Sequence, residues 1–98
     1  MKAEELVRTR IVHSEVAFSE LVLWHLPKAM KGSRHRYKYR LAYVVRGLCV
    51  VRYDNEAGKG DHRHFAGTEK RYPFSDVDKL LADFQADIAR WNRENGNS

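Results

Sequence analysis

The chain has 98 residues, 43% hydrophobic and 32% charged, with 18 Lys/Arg against 13 Asp/Glu and a formal net charge of +5. That length suits one domain with a modest core, and the composition is that of a folded chain, not a disordered tail. No apolar run reaches the roughly 18 residues of a membrane span, the N-terminus lacks the apolar stretch of a secretory signal, and a lone Cys49 excludes an internal disulfide and a multi-cysteine zinc site. A small, cytoplasmic, basic protein is expected.

Residues 4–12 read as a strand, with Leu6, Arg8, Arg10 and Val12 on one side and Val7, Thr9 and Ile11 on the other. After the polar break His13-Ser14-Glu15, residues 16–26 make a second strand, favoured over a helix by their β-branched and aromatic content. Pro27 ends it, and a loop runs through Gly32 to Ser33. From Arg34 to Arg46 one parity carries Arg34, Arg36, Lys38 and Arg40, and the other carries Tyr37, Tyr39, Leu41, Tyr43 and Val45. This is a strand with a cationic side and an aromatic-aliphatic side. Arg46-Gly47 is a tight turn into a returning strand, Leu48 to Asp54, which makes an antiparallel hairpin.

Residues 55–60 form a loop with two glycines. His62 to Phe65 and Lys70 to Phe74 make a further short hairpin that turns at Ala66-Gly67-Thr68. The period then changes. Val77, Leu80, Leu81, Phe84, Ile88 and Trp91 form one stripe of an amphipathic helix. Ser75 is its expected N-cap, Asp76 and Asp78 suit the first turn, and Gly96 is a stop signal, with a frayed tail over 95–98.

These elements predict an α+β fold in a single domain spanning 1–98. An antiparallel sheet of four to six strands, built of hairpins or a meander over about 4–74, is covered on one face by a long C-terminal helix over about 76–94. The helix stripe packs on Tyr37, Tyr39, Leu41, Tyr43 and Val45, which leaves the cationic parity on the uncovered face. Trp24 and Trp91 read as core aromatics and Cys49 as a small buried hydrophobe.

The charge is uneven. Twelve Lys/Arg and four Asp/Glu lie between Lys28 and Arg71, a net +8, while the rest of the chain is net −3. A basic middle points to a polyanionic partner, with a merely solvated surface as the plain alternative. The densest polar segment is Arg52-Tyr53-Asp54-Asn55-Glu56-Ala57-Gly58-Lys59-Gly60-Asp61-His62-Arg63-His64. It lacks the spacing of a P-loop. One reading is a metal-free RNA-cleaving site. His62 and His64 would be acid and base, Asp54 or Asp61 would orient a histidine, and Arg36, Lys38, Arg40, Arg52, Lys59 and Arg63 would hold phosphate, with Tyr53 near enough to stack a base. A second is a metal site built on the two imidazoles and nearby aspartates. The third gives these groups only structural work in turns and surfaces. No cofactor is implied, and no nucleotide-binding fingerprint supports a transferase.

Arg34-His35-Arg36-Tyr37-Lys38-Tyr39-Arg40-Leu41, then Arg52-Tyr53-Asp54-Asn55-Glu56, then Gly58-Lys59-Gly60-Asp61-His62-Arg63-His64 resemble the TumE family over nearly the whole chain. The resemblance implies the toxin of a toxin–antitoxin pair, held in check by a cognate antitoxin that is often a small DNA-binding protein. It brings no assigned catalytic residues. Many small basic toxins cut RNA, and the expected function is therefore a metal-independent endoribonuclease, partly by analogy. A non-catalytic module that binds nucleic acid or antitoxin, and a metal-dependent nuclease, are the alternatives. A homodimer is compatible with either activity.

Overall fold

A computed structural model describes residues 2–96, so Met1 and the end of the expected frayed tail, Asn97 and Ser98, lie outside the described residues. The described residues form six strands, β1 (Glu4–Val12), β2 (Ala17–His25), β3 (Tyr37–Val45), β4 (Leu48–Glu56), β5 (Gly60–Phe65) and β6 (Thr68–Arg71), and one helix, α1 (Val77–Glu94). The strands pair antiparallel in sequence order, an open meander with β1 and β6 at its edges. The expected α+β architecture is the observed one, at the upper end of the expected strand count.

Local chemistry accounts for the hairpins. At Arg46-Gly47 and at Ala66-Gly67 both residues have positive φ (48° and 78°, 49° and 87°), the type I′ combination whose twist matches the flanking strands. Glycine in the second position accepts this conformation without strain. The β5–β6 turn is therefore one residue shorter than expected, and Thr68 already belongs to β6.

Alternation sorts the strands into two faces. Leu21 and Leu23 of β2, Tyr39, Leu41, Tyr43 and Val45 of β3, Val51 and Tyr53 of β4 and Phe65 of β5 face α1, and form the core with Leu80, Phe84 and Ile88. The helix lies mainly over β4. It reaches β3 through Tyr43, whose hydroxyl donates to Asn92 Oδ1 (2.8 Å) and whose ring meets Trp91 edge-on. Asp76, not Ser75, caps the helix. Its carboxylate accepts from the Lys79 N–H (2.8 Å), and Ser75 lies one residue too early for that bond.

Three side chains depart from the expected burial. Cys49 is exposed, because it stands near the β3–β4 turn beside exposed Leu48. Trp24 is half-buried, and its parity puts it on the uncovered face, opposite Lys38. Asp87 is buried within the apolar helix stripe.

Candidate active site

Cross-strand register writes the open face as rows of neighbours. One row runs Arg8, Val22, Arg40, Asp54, His62, Arg71 across the six strands, and the next runs Arg10, Glu20, Ala42, Arg52, His64, Glu69. Paired residues share a face, so these side chains all stand on the side away from α1. On β4, β5 and β6 the rows converge on a cleft of about 160 Å³ lined by Arg52, Asp54, Glu56, Lys59, His62, His64 and Glu69.

The two imidazoles of this cleft have different partners. The Arg52 guanidinium can only donate, so His64 Nε2, 2.9 Å from Arg52 Nη2, holds a lone pair there. His64 Nδ1 faces Glu69 Oε2 at 3.8 Å. His62 Nε2 donates to the Lys59 carbonyl (2.8 Å), and its Nδ1 lies 3.0 Å from Glu69 Oε1, close to the carboxylate but without hydrogen-bond alignment. One histidine thus offers a lone pair and the other is surrounded by acceptors. Arg52 Nε stands 3.2 Å from Asp54 Oδ2, at ion-pair distance without hydrogen-bond alignment. Lys38 donates to the Asn55 carbonyl (3.3 Å), and Arg36 and Arg40 are exposed.

The remaining residues of the polar segment stand on the other face. Asp61 alternates away from His62 and is used twice under the sheet. It is 2.8 Å from His35 Nε2 and accepts from the Tyr39 hydroxyl at 2.6 Å. The Tyr37 N–H donates to His35 Nδ1 (3.1 Å), and the His35 ring stacks on Phe74 at 4.0 Å. Both imidazole nitrogens are therefore committed to the fold. Burial, then the hydrogen bond to Asp61 and its charge, push the Tyr39 hydroxyl well above its ordinary pKa. The loop that carries His35 is held in place by the Gly58 N–H, which donates to the Lys31 carbonyl (2.7 Å), with Gly32 packed against Gly58.

Arg63 also turns inward. Its Nε and Nη2 donate to Asp87 Oδ2 (2.6 Å) and Oδ1 (2.7 Å), a bidentate pair that resolves the acid in the helix stripe. Tyr53 donates to the same carboxylate (2.6 Å), and burial followed by that bond raises its pKa above the ordinary tyrosine value. Asn55 is buried and staples β4 to β3, accepting from the Tyr39 N–H (3.0 Å) and donating to the Tyr37 carbonyl (2.7 Å).

The structure thus gathers His62, His64, Asp54, Arg52 and Lys59, with Lys38 and Arg40 on the same face, and separates Asp61, Arg63 and Tyr53 from them. Sequence reasoning missed Glu69, the carboxylate facing both histidines, and the pairing of His35 with Asp61. Parity could have divided the segment, because Phe65 marks the covered side and Asp61 and Arg63 share its parity. Among the described residues no three His, Cys, Asp or Glu side chains converge to hold a metal ion.

The matching sequence blocks fall on β3, β4, β5 and the loops around this cleft, and a family model described as "Toxin TumE" matches residues 2–92. The chain belongs to the TumE toxin family. No curated protein and no solved structure matches it. A TumE toxin implies an antitoxin partner in general. No helix among its described residues is long and apolar enough to cross a membrane.

Proposed function

We propose that this TumE toxin is a metal-independent endoribonuclease whose site is the open-face cleft. The observation that carries the reading is the pair of unlike histidines, His64 with a lone pair beside Arg52 and His62 with acceptors on both sides, set in a cationic sheet face. RNA supplies its own nucleophile. His64 Nε2 takes the proton of a 2′-hydroxyl once Arg52 turns from the imidazole to the phosphate. The 2′-oxygen forms its bond to phosphorus as the bond to the 5′-oxygen breaks, and His62 protonates that leaving oxygen. The products are a 2′,3′-cyclic phosphate and a 5′-hydroxyl end. Arg52 and Lys59 stabilise the extra charge of the phosphorane, with Arg36, Lys38 and Arg40 holding the flanking backbone. Asp54 positions Arg52. The antitoxin of a toxin with this surface presents an acidic contact face.

The test is incubation of the purified protein with total RNA, with and without EDTA, beside His62→Ala, His64→Ala and the double variant. Cleavage that survives EDTA and falls by about 10²–10⁴-fold in each variant supports the reading. Cleavage lost with EDTA assigns the cleft to metal chemistry. RNA left intact in every lane, with binding that weakens steeply as salt rises, assigns the face to binding alone.

A further inference from the structure

The large aromatic residues of this fold gather under the helix, with two exceptions on the open face. Phe18 is covered by Arg10, whose guanidinium carbon sits 4.2 Å from the ring centroid. Trp24 is different. It is half-buried, and among the described residues its indole has no hydrogen bond and no ring contact. Its N–H is open to solvent. Its cross-strand neighbours are Lys38 on β3 and, on β1, Glu5, whose carboxylate is paired with Arg8; Arg40 stands two residues further along β3, opposite Val22. Lys38 and Arg40 are exposed cations.

An unpartnered flat ring beside two exposed cations, Arg40 and the Lys38 that also reaches the Asn55 carbonyl, has the chemistry of a platform for an unpaired base, with the cations holding the flanking phosphates. Its placement relative to the cleft fits. The row Val22, Arg40, Asp54, His62 spans three strand spacings, about 14 Å, and Trp24 is two residues along β2 from Val22. A single strand lying across β3 would pass over Lys38 and Arg40 between the two positions. A duplex keeps its bases stacked inside and has no face to offer the indole.

We infer that Trp24 is a base-stacking subsite, and that the ligand of the open face is single-stranded RNA laid from β2 to β5 with an unpaired base on the indole. This rests on the RNA reading of the open face but not on cleavage.

The experiment uses the full chain with Trp91→Phe, so that Trp24 is the only fluorophore of its kind, and an eight-nucleotide 2′-O-methyl RNA, which lacks the attacking hydroxyl. Saturable quenching of Trp24 is expected. Trp24→Ala in the otherwise unchanged protein should weaken binding of the labelled oligonucleotide by about 5- to 150-fold, the worth of one stacked base, and Trp24→Phe should restore most of it. The far-ultraviolet circular dichroism and melting of each variant verify the fold. The subsite is overturned by absence of quenching, by equal binding of Trp24→Ala, or by a duplex of the same sequence binding as tightly with the same quenching. Quenching with no cleavage of natural RNA overturns the ribonuclease and keeps the subsite. Cleavage with no role for Trp24 does the reverse.

Discussion

Strand β5 carries polar residues on both of its faces, and the two sets behave differently. On the covered side Asp61 and Arg63 each meet a buried partner network, His35 with Tyr39 and Asp87 with Tyr53, at 2.6–2.8 Å. On the open side His62 and His64 meet Glu69, Arg52 and a backbone carbonyl in a shallow cleft. Residues adjacent in sequence therefore do opposite work. The inward pair holds the helix and the β2–β3 loop to the sheet, and the outward pair lines the open cleft. Density of charged and imidazole groups in a sequence does not mark an active site until parity has divided it.

Stability measurements can break this division. The largest loss is expected at the centre of the covered face. Phe84 is fully buried, and Phe84→Ala should cost about 3–5 kcal/mol in denaturant unfolding. A mild effect would mean that the helix is not seated on β4. Arg63→Ala comes next, at about 3 kcal/mol, because it strands the Asp87 carboxylate, whose side chain is 10% exposed. In contrast, His64→Ala on the same strand should stay within about 0.5 kcal/mol. Equal losses at Arg63 and His64 would erase the distinction between the faces.

Proton linkage gives a smaller signal of the same division. Burial first, then the hydrogen bonds to Asp61, Asp87 and Asp83, raise Tyr39, Tyr53 and Tyr72 above their ordinary value of 10.0. The unfolded tyrosines ionise at that lower value, so this stabilisation is complete below about pH 10 and is lost as pH rises beyond it. Asp83 shifts the other way. Burial pushes its pKa up, but hydrogen bonds from Tyr72 and Lys79 outweigh that and hold it below the ordinary 3.8. Its contribution is present above that value and is lost as pH falls through the depressed one. Melting temperatures across acid and alkaline limbs should show both declines, with Tyr53→Phe flattening the alkaline one. Last, Asp76→Ala should cost about 1 kcal/mol, the worth of a cap, while Ser75→Ala should cost less.

Much of this was legible in the sequence where the signal is local. The alternation of Tyr37 to Val45 placed β3 and its two faces, and the stripe from Val77 to Trp91 placed α1. Pairings between distant residues were not legible. His35 meets Asp61 at a separation of 26 residues and Arg63 meets Asp87 at 24, distances over which composition and spacing carry no information. Trp24 misled because a tryptophan in an apolar strand usually belongs to a core, whereas the register of β2 against β3 sets it beside Lys38.

The type I′ turn at Ala66-Gly67 bears on how such a chain can vary. It fixes Phe65 opposite Thr68, and through that pair sets His64 against Glu69 and His62 against Arg71. Strand periodicity is two, so a slip of one residue exchanges the faces completely. It would drive the histidines under the helix and lift Asp61 and Arg63 into solvent. Substitutions along β5 alter one contact at a time. A single-codon insertion or deletion there would invert the whole strand, which makes the length of this hairpin a tighter constraint than the identity of most residues in it.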